Sequence, residues 1–358
     1  MTDDKLLQVR IGRPYGNYYQ SGVVYPSNSF VEKPGTQDYW NTIKSMLQDS
    51  QISASIGLRK RTALTMLSEL EGDAEAVNCV SEVISKITFI HDIHDLLSRL
   101  EFGISYQEII WKLDDSGKYW IDAIEQRSNK NFRWFFSETG EKFLQYYDRG
   151  TWRFAPDKKF IVGTNNATQE NPYGESVLVC VYPDWVEKCR LKMYFDRLSE
   201  KLSIPSFIAL TDASNQKDID QVSTVLSEIE NGAGLAVSGV RDIKELSVSN
   251  QMGSLLEKIK ELDRNISKGI TSQVLALDYG QTGSYALGNV HENSLKVVAA
   301  MDCDATAYLL NRQVIRWILD LNGIGGDAYY PVDALTRVKS EIDGKKQGGF
   351  EFSDMMMQ

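Results

Sequence analysis

The stretch that decides the fold is residues 102–111, Phe-Gly-Ile-Ser-Tyr-Gln-Glu-Ile-Ile-Trp. Gly103 marks a change of character, because the residues after it are rich in the β-branched and aromatic side chains that favour strands. Residues 114–117 (Asp-Asp-Ser-Gly) are a turn signal, and residues 119–124 predict a second strand behind it. The sequence therefore predicts an antiparallel strand pair that begins just after Gly103.

Apolar side chains recur at helical spacing before this stretch. Residues 37–62 predict two helices, and either Asp49 or Ser50 is placed to cap the second. Residues 63–70 continue that helix or form a strand, and residues 74–99 predict further helix. More short strands are predicted around 131–136, 142–147, 151–154 and 159–163, completing an antiparallel meander. Helices followed by strands indicate an α+β module.

The second half of the chain predicts helices around a small αβ unit and a glycine-rich loop. The predicted elements are a helix from Pro183 to about Ser203, a strand at 206–210, a helix from Asn215 to Glu230, strands at 234–238 and 243–247, a helix at 252–268, a loop at 269–290 and a long helix from Asn293 to Leu321. Gly323 ends that helix, and few core positions are expected after Val338. Residues 1–36, punctuated by proline and glycine, predict an extended arm.

Composition is that of a folded protein, with 42% hydrophobic and 25% charged residues among 358. The net charge of −10 argues against tight, static binding to duplex DNA, because such proteins gather basic residues. The same charge is also what keeps many proteins soluble. No secretory signal and no membrane-length apolar run is visible, so we expect a protein made in the cytoplasm.

Motifs that would carry catalysis are missing from the sequence. Neither Gly117-Lys118 nor Gly344-Lys345 lies in a phosphate-binding loop, and no nucleophile elbow occurs. Asp302 and Asp304 lie two apart on the long helix, so they point to different faces and make a poor two-metal site. The cysteines and histidines lack zinc-site spacing, which predicts reduced thiols. We therefore expect no catalytic residue, no metal and no cofactor.

Five separated segments resemble the portal proteins of Mu-like tailed bacteriophages. They are Phe102–Trp111, Phe160–Val162 with Asn171–Leu178, Glu200–Pro205 with Ser203 where the family usually has glycine, Gly283–His291, and Leu321–Gly323. The segments occur in the family's order and spacing across residues 37–323. The family's C-terminal part is usually longer than the part that follows Asn322 here.

The resemblance implies the portal fold, an α+β subunit that assembles into a ring, by family resemblance a dodecamer. The implied parts are an N-terminal arm at 1–36, a wing at 37–182, stem helices at 183–203 and 248–268, a clip at 204–247, a tunnel loop at 269–290, a spine helix at 291–323 and a short crown or tail at 324–358.

Two implied parts contain the candidate channel residues. In the tunnel loop they are Lys268, Gln273, Tyr279, Gln281, Thr282 and Tyr285, and in the clip Asp212, Lys217, Asp218, Asp220, Glu228 and Glu230. The clip acids either line the bore, where they repel phosphates, or lie on the outer face or between neighbouring clips. The tunnel segment either touches moving DNA or is a packed connection between helices, with Tyr285 and Leu287 buried.

The implied function is a channel for DNA packaging and ejection at one capsid vertex of the virion. Its implied partners are other copies of the chain, double-stranded DNA, the terminase, the major capsid protein and the head–tail connector, with no membrane. One alternative is another ring-forming head–tail connector or adaptor, a class whose chains are usually much shorter. The other is a DNA-processing enzyme such as a nuclease, which the missing acidic cluster disfavours.

Overall fold

A computed structural model describes residues 34–138, 140–203, 207–211, 240–245, 251–272 and 285–343. At 200–203, 207–211, 240–245, 251 and 285–292 it describes the backbone alone. The chain divides into two compact units, one of residues 1–182 with 266–358 and one of residues 183–265. Residues 1–33 of the predicted arm at 1–36, the predicted helix at 215–230 and the predicted strand at 234–238 lie outside the described residues.

In the described residues from 34 onward, five helices precede the decisive stretch. They are α1 (Gln37–Met46), α2 (Ser50–Thr65), α3 (Ala74–Ile84), α4 (Phe89–Leu96) and α5 (Arg99–Phe102). Asp49 caps α2, since its carboxylate accepts hydrogen bonds from the backbone N–H groups of Gln51 (2.9 Å) and Ile52 (3.4 Å). The helical content predicted over 74–99 is confirmed, and turns at 85–88 and 97–98 divide it into separate helices. The first interruption, Ser-Lys-Ile-Thr, contains three residues of low helix propensity.

Two three-stranded antiparallel sheets follow. The first has the order β3-β2-β7, with β2 (Ile104–Leu113), β3 (Tyr119–Arg127) and β7 (Phe160–Thr164). The second has the order β4-β5-β6, with β4 (Phe132–Phe136), β5 (Lys142–Asp148) and β6 (Thr151–Phe154). A short pair joins β1 (Glu71–Gly72) to β10 (Ala328–Tyr329). The structure thus has the mixed α+β content that the sequence predicts.

The predicted single meander is wrong, because β7 returns to pair with β2. The reason is burial: Phe160 and Ile161 point to opposite faces of β7 and are both buried. A strand with two buried faces needs other elements packed against both faces. Strand β7 has such neighbours when it pairs with β2 in the first sheet. The last strand of the second sheet, β6, is mostly exposed instead.

The turn between β2 and β3 confirms the signal at 114–117. Both carboxylate oxygens of Asp114 accept hydrogen bonds, one from the hydroxyl of Ser116 and the backbone N–H of Lys118, the other from the indole of Trp120. These hydrogen bonds hold the pKa of Asp114 well below its usual range. The two neighbouring acids at 114 and 115 therefore belong to a turn, as the spacing predicts.

Two long helices contain the implied stem. Helix α6 spans Tyr182–Ser203 and helix α7 spans Gln251–Thr271. Between them in sequence, β8 (Phe207–Thr211) pairs antiparallel with β9 (Val240–Glu245). The predicted helices are confirmed, although α7 extends three residues beyond its predicted end at 268. The predicted strand at 243–247 begins earlier, at Val240.

The spine is a helical rod in three parts. Helix α8 spans Tyr285–Leu310, a π turn spans Asn311–Ile315, and helix α9 spans Arg316–Asn322 and ends at Gly323 in the left-handed conformation. The predicted start at Asn293 is wrong by eight residues. Residues 285–292 contain Ala, Leu and Glu, and the one glycine among them costs about 1 kcal/mol, too little to stop a helix. A further helix, α10, covers 334–343.

Side-chain amides in the π turn attach the rod to strands. Asn311 accepts a hydrogen bond from the N–H of Tyr330 (2.8 Å) and donates one to its carbonyl (2.9 Å). Gln313 does the same with Val162 of β7, at 2.8 and 3.0 Å. Each amide therefore supplies the donor and the acceptor that a neighbouring strand would supply.

A third amide repeats this arrangement at the end of α9. Asn322 accepts from the N–H of Tyr119 on β3 (2.8 Å) and donates to the carbonyl of the same residue (3.1 Å). Strands β3 and β7 are the two edges of the first sheet. The rod therefore binds backbone groups on both edges of that sheet.

The main core lies between the first sheet, the early helices and the spine. Fully buried side chains at its centre include Val80, Ile93, Ile109, Val314 and Ile318. Helix α10 adds a smaller cluster in which Ala334 and Val338 pack on α8. In the described part of the chain, no helix combines the length and the apolar character that spanning a membrane requires.

Candidate functional site

The structure places few of the candidate channel residues. Lys268 lies exposed near the end of α7, and Tyr285 is the first residue of α8 rather than a loop residue. The other candidates lie outside the described residues: Gln273, Tyr279, Gln281 and Thr282 of the tunnel segment and Asp212, Lys217, Asp218, Asp220, Glu228 and Glu230 of the clip. The described part of the site is therefore the pair of helix ends that flank residues 273–284.

The end of α7 is closely packed. Gly269, the first residue of the predicted loop at 269–290, lies inside the helix, and a Cβ atom there would come closer than 3.0 Å to the side chain of Val181. Ser272 leaves the helix with a positive φ of 57° and donates its N–H to the carbonyl of Lys268 (3.0 Å). Gly269 therefore permits a close approach rather than a mobile loop.

A largely buried arginine, with 12% of its side chain exposed, joins this helix end to the spine. Arg59 of α2 holds both carboxylate oxygens of Asp302 on α8, through Nε at 2.6 Å and Nη2 at 3.0 Å. Its remaining nitrogen, Nη1, donates to the carbonyl of Ile270 in the last turn of α7 (2.8 Å). One guanidinium thus contacts two helices besides its own, in the two-pronged geometry that gives strong ion pairs.

A second arginine approaches Asp302 from α5. Arg99 is fully buried, and its Nη2 donates to the backbone carbonyl of Asp302 (3.1 Å) and to the hydroxyl of Thr306 (2.9 Å). Burial lowers the pKa of Arg99 to about 10, a fall that the charge of Asp302 opposes. Arg99 therefore keeps its charge at neutral pH, and the node of Arg59, Asp302 and Arg99 is a structural ion cluster.

Asp304 confirms that the two spine acids face different ways. Its carboxylate accepts from the backbone N–H groups of Ala334 (2.8 Å) and Leu335 (3.1 Å), at the start of α10. Asp302 instead faces Arg59. Among the described residues no group of His, Cys, Asp and Glu side chains is placed to hold a metal ion.

The exposed faces of the long helices carry paired charges. On α7, Lys260 pairs with Glu257 (2.9 Å) and Lys258 with Glu261 (3.2 Å). Exposed cations at positions 260, 264 and 268 follow each other at a spacing of four, which places them on one side of the helix. Of these three cations, Lys260 is already paired with Glu257 on the same helix.

Two of the segments named above meet in the structure. Residues 102–111 and 171–178 approach each other at Gly103 and Gly174, with Asn165 bridging them. The N–H of Asn165 donates to Gly103 (2.8 Å), and the N–H of Glu175 donates to Asn165 (2.8 Å). A Cβ atom on Gly174 would lie less than 3.0 Å from two carbonyl oxygens, those of Gly103 and Asn165. The glycine is therefore required by packing.

The other side chains of the decisive stretch also support the fold. Glu108 forms ion pairs with Arg127 (2.6 Å) and Lys159 (2.8 Å). Burial alone would raise the pKa of Glu108, but the hydrogen bonds and charges of these two cations have the larger combined effect. The pKa of Glu108 is therefore below its usual value. The indole of Trp111 donates to the carbonyl of Lys158 (2.7 Å). These residues hold strands together and do no chemistry.

Comparison with a family model and with curated sequences gives one match. The model described as the portal protein of Mu bacteriophage matches residues 40–347. No curated protein sequence matches the chain.

Solved structures that align with a TM-score above 0.5 share the fold of this chain at 10–12% sequence identity. A chain in the virion of a native gene transfer agent particle aligns with a TM-score of 0.63 and 12% identity, over 88% of this chain and 91% of that chain. A chain in the neck of the native particle, computed with C12 symmetry, aligns with a TM-score of 0.59 and 10% identity, over 87% and 89%. A third chain, an HK97 family phage portal protein from Corynebacterium diphtheriae, aligns with a TM-score of 0.47 and 10% identity, over 81% and 95%.

Proposed function

Because the chain belongs to the portal protein family of Mu bacteriophage, we propose that it is one subunit of a ring through which DNA enters and leaves a capsid. The match over residues 40–347 carries the proposal, since it includes both long helices and the spine. Membership in this family makes the chain a structural component of the virion and not an enzyme.

The ring contains twelve copies in this proposal. Support comes from the chain in the neck of the gene transfer agent particle, whose structure was computed with C12 symmetry and shares the fold over 87% of this chain. A closed ring needs two different faces on each subunit, one for each neighbour. The described residues do expose apolar side chains suited to contacts, among them Phe135, Phe143 and Phe154 on the second sheet.

The parts of the ring follow the order of the chain in this proposal. The wing takes residues 37–182, the stem takes α6 and α7, the clip takes residues 204–247, the tunnel segment falls between α7 and α8, the spine is α8 to α9, and the crown or tail takes residues 324–358. The helix bounds support a shorter tunnel segment than 269–290, because α7 continues to Thr271 and α8 begins at Tyr285.

DNA passes two kinds of surface in this proposal. Acidic clip residues such as Asp218, Asp220 and Glu228 repel phosphates if they face the bore, and otherwise lie outside or between neighbours. The tunnel segment touches the DNA with polar and aromatic side chains, and Lys268 is the described cation nearest to it in sequence. Weak contacts of this type suit a duplex that must slide.

The ring has successive partners in this proposal. It sits at one vertex of the major capsid protein shell, docks the terminase that drives packaging, and afterwards holds the head–tail connector. The chief alternative, a connector or adaptor that itself forms a ring, is disfavoured by the wing-like α+β block and by the length of the family match.

Electron microscopy of the purified protein in negative stain tests the proposal. We expect closed rings with a central hole, with class averages showing twelvefold symmetry. Mass photometry of the same sample gives the number of copies independently. Monomers at micromolar concentration, or divalent-metal nuclease activity in the same preparation, would overturn it.

A further inference from the structure

The ion cluster of Arg59, Asp302 and Arg99 contacts the end of α7, the helix that leads into residues 273–284. We propose that Arg59 is a positioning residue for DNA passage, which fixes the last turn of stem helix α7 to spine helix α8. The inference rests on the proposed channel function. Its physical content is that one guanidinium keeps the end of α7 in a single place relative to the wing helix α2 and the spine.

The last turn of α7 needs a partner of this kind. The final carbonyls of a helix have no donor within the helix, and they form the negative end of its dipole. The backbone carbonyl of Lys268 accepts a hydrogen bond from the N–H of Ser272 (3.0 Å). The backbone carbonyl of Ile270 accepts one from Nη1 of Arg59 (2.8 Å). Arg59 therefore caps α7 from a helix that is distant in sequence, with the charge that this helix end favours.

The geometry of the guanidinium makes the attachment rigid. Nε and Nη2 are occupied by the two oxygens of Asp302, so the fork cannot rotate while Nη1 holds the carbonyl of Ile270. Asp302 is fixed in turn, because Arg99 binds its backbone carbonyl (3.1 Å). A lysine at position 59 would carry the charge but would lack the planar fork.

The chain offers a matched control at the next position. Lys60 forms a buried ion pair with Glu101 (3.0 Å), and its side chain is 6% exposed. Lys60→Gln and Arg59→Gln each remove from α2 a cation whose side chain is largely buried, and each leaves the carboxylate partner, Glu101 or Asp302, without that ion pair. Of these two cations, Arg59 hydrogen-bonds to the last turn of α7, whereas Lys60 binds Glu101 of α5.

Hydrogen exchange on purified rings measures the attachment directly. In Arg59→Gln we expect amides in 266–272 to exchange roughly 10- to 100-fold faster, the factor that one lost charge-assisted hydrogen bond gives. Lys60→Gln should leave that peptide unchanged, and Arg59→Lys should fall between. The double variant Arg59→Gln/Asp302→Asn leaves no unpaired carboxylate at position 302, but it also lacks the hydrogen bond to the carbonyl of Ile270. Amides in 266–272 should therefore exchange as fast in the double variant as in Arg59→Gln.

Packaging measures the functional role. Heads assembled with Arg59→Gln, or with the double variant, should contain less nuclease-protected DNA than heads with Lys60→Gln, at the same ring number. Equal losses in Arg59→Gln and Lys60→Gln would reduce Arg59 to a general stabilising residue and overturn the proposal, as would unchanged exchange at 266–272. If the unaltered chain forms no ring, the proposed function fails instead, while the exchange experiment still reports on the contact.

Discussion

Gly174 illustrates what a single residue contributes to this fold. Its φ is +69°, in the left-handed region, and the carbonyls of Gly103 and Asn165 lie against the position where a Cβ atom would be. Glycine is therefore needed twice, once for the backbone angle and once for space. Gly117 has a similar φ of +83°, but nothing lies within 4 Å of its Cβ position.

This pair of glycines allows a prediction that separates the two effects. Gly117→Ala should lower the free energy of unfolding by about 1 kcal/mol, the cost of a left-handed alanine. Gly174→Ala should cost about 2–4 kcal/mol, because the new methyl group also displaces two strand-end carbonyls. Urea unfolding followed by tryptophan fluorescence measures both. Equal losses in the two variants would show that the close approach at Gly174 is easily relieved.

Single residues also show which contacts sequence can predict. Asp49 as a cap, the turn at Asp114 and the helix stop at Gly323 depend on neighbours within a few positions, and all three are confirmed. Arg59 and Arg99 were missed, because their partners lie 243 and 203 positions away in the chain. An isolated arginine gives no local signal of such a partner.

At the scale of elements, the sequence predicted which segments are helical better than where each helix begins and ends, and it missed the partner of β7. The bounds of α2, α6 and α7 follow from periodicity and from local stop signals. The pairing of β7 with β2 depends on which strand can bury both faces, a property of the assembled sheet. Alternation within β7 does not specify its partner.

The amide of Gln313 gives a prediction about the contact between an element and its neighbour. Gln313→Leu leaves the N–H and the carbonyl of Val162 without partners and should cost about 1–3 kcal/mol of unfolding free energy. Gln313→Glu should cost a similar amount, because a carboxylate oxygen would then face the carbonyl of Val162.

Gln37 is the control for this prediction. Among the described residues its amide hydrogen-bonds to Asn41 alone, at the exposed start of α1, so Gln37→Leu should change the free energy of unfolding by less than about 0.5 kcal/mol. Chemical denaturation of the three variants is the measurement. A loss at Gln313 no greater than that at Gln37 would contradict the role of the amide.

At the scale of the whole molecule, the family was predictable because its motifs are structural. Gly103, Glu108, Trp111 and Gly174 each hold a junction between elements, so the segments that resemble the portal family are those that build the fold. The candidate channel residues were inferred by position within that fold. No comparable local chemistry distinguishes a side chain that faces passing DNA from one that faces a neighbouring subunit.

The net charge of the whole chain predicts weak binding to DNA. With 39 basic and 49 acidic residues, the protein should bind a short duplex no more tightly than roughly 10⁻⁶ M at about 0.15 M salt. Fluorescence anisotropy with a labelled duplex, repeated at several salt concentrations, measures both the affinity and the number of phosphates contacted. Nanomolar affinity with a steep salt dependence would contradict a surface over which DNA slides.

The amides of the spine have a further consequence for a protein present in many copies at close quarters. An open strand edge is a template on which another chain can add a strand, and crowding makes that addition more frequent. Gln313 occupies backbone groups on the edge strand β7, and Asn322 occupies backbone groups on the opposite edge strand β3. The same side chains that attach the helix therefore protect the sheet against aggregation while subunits await their proper neighbours.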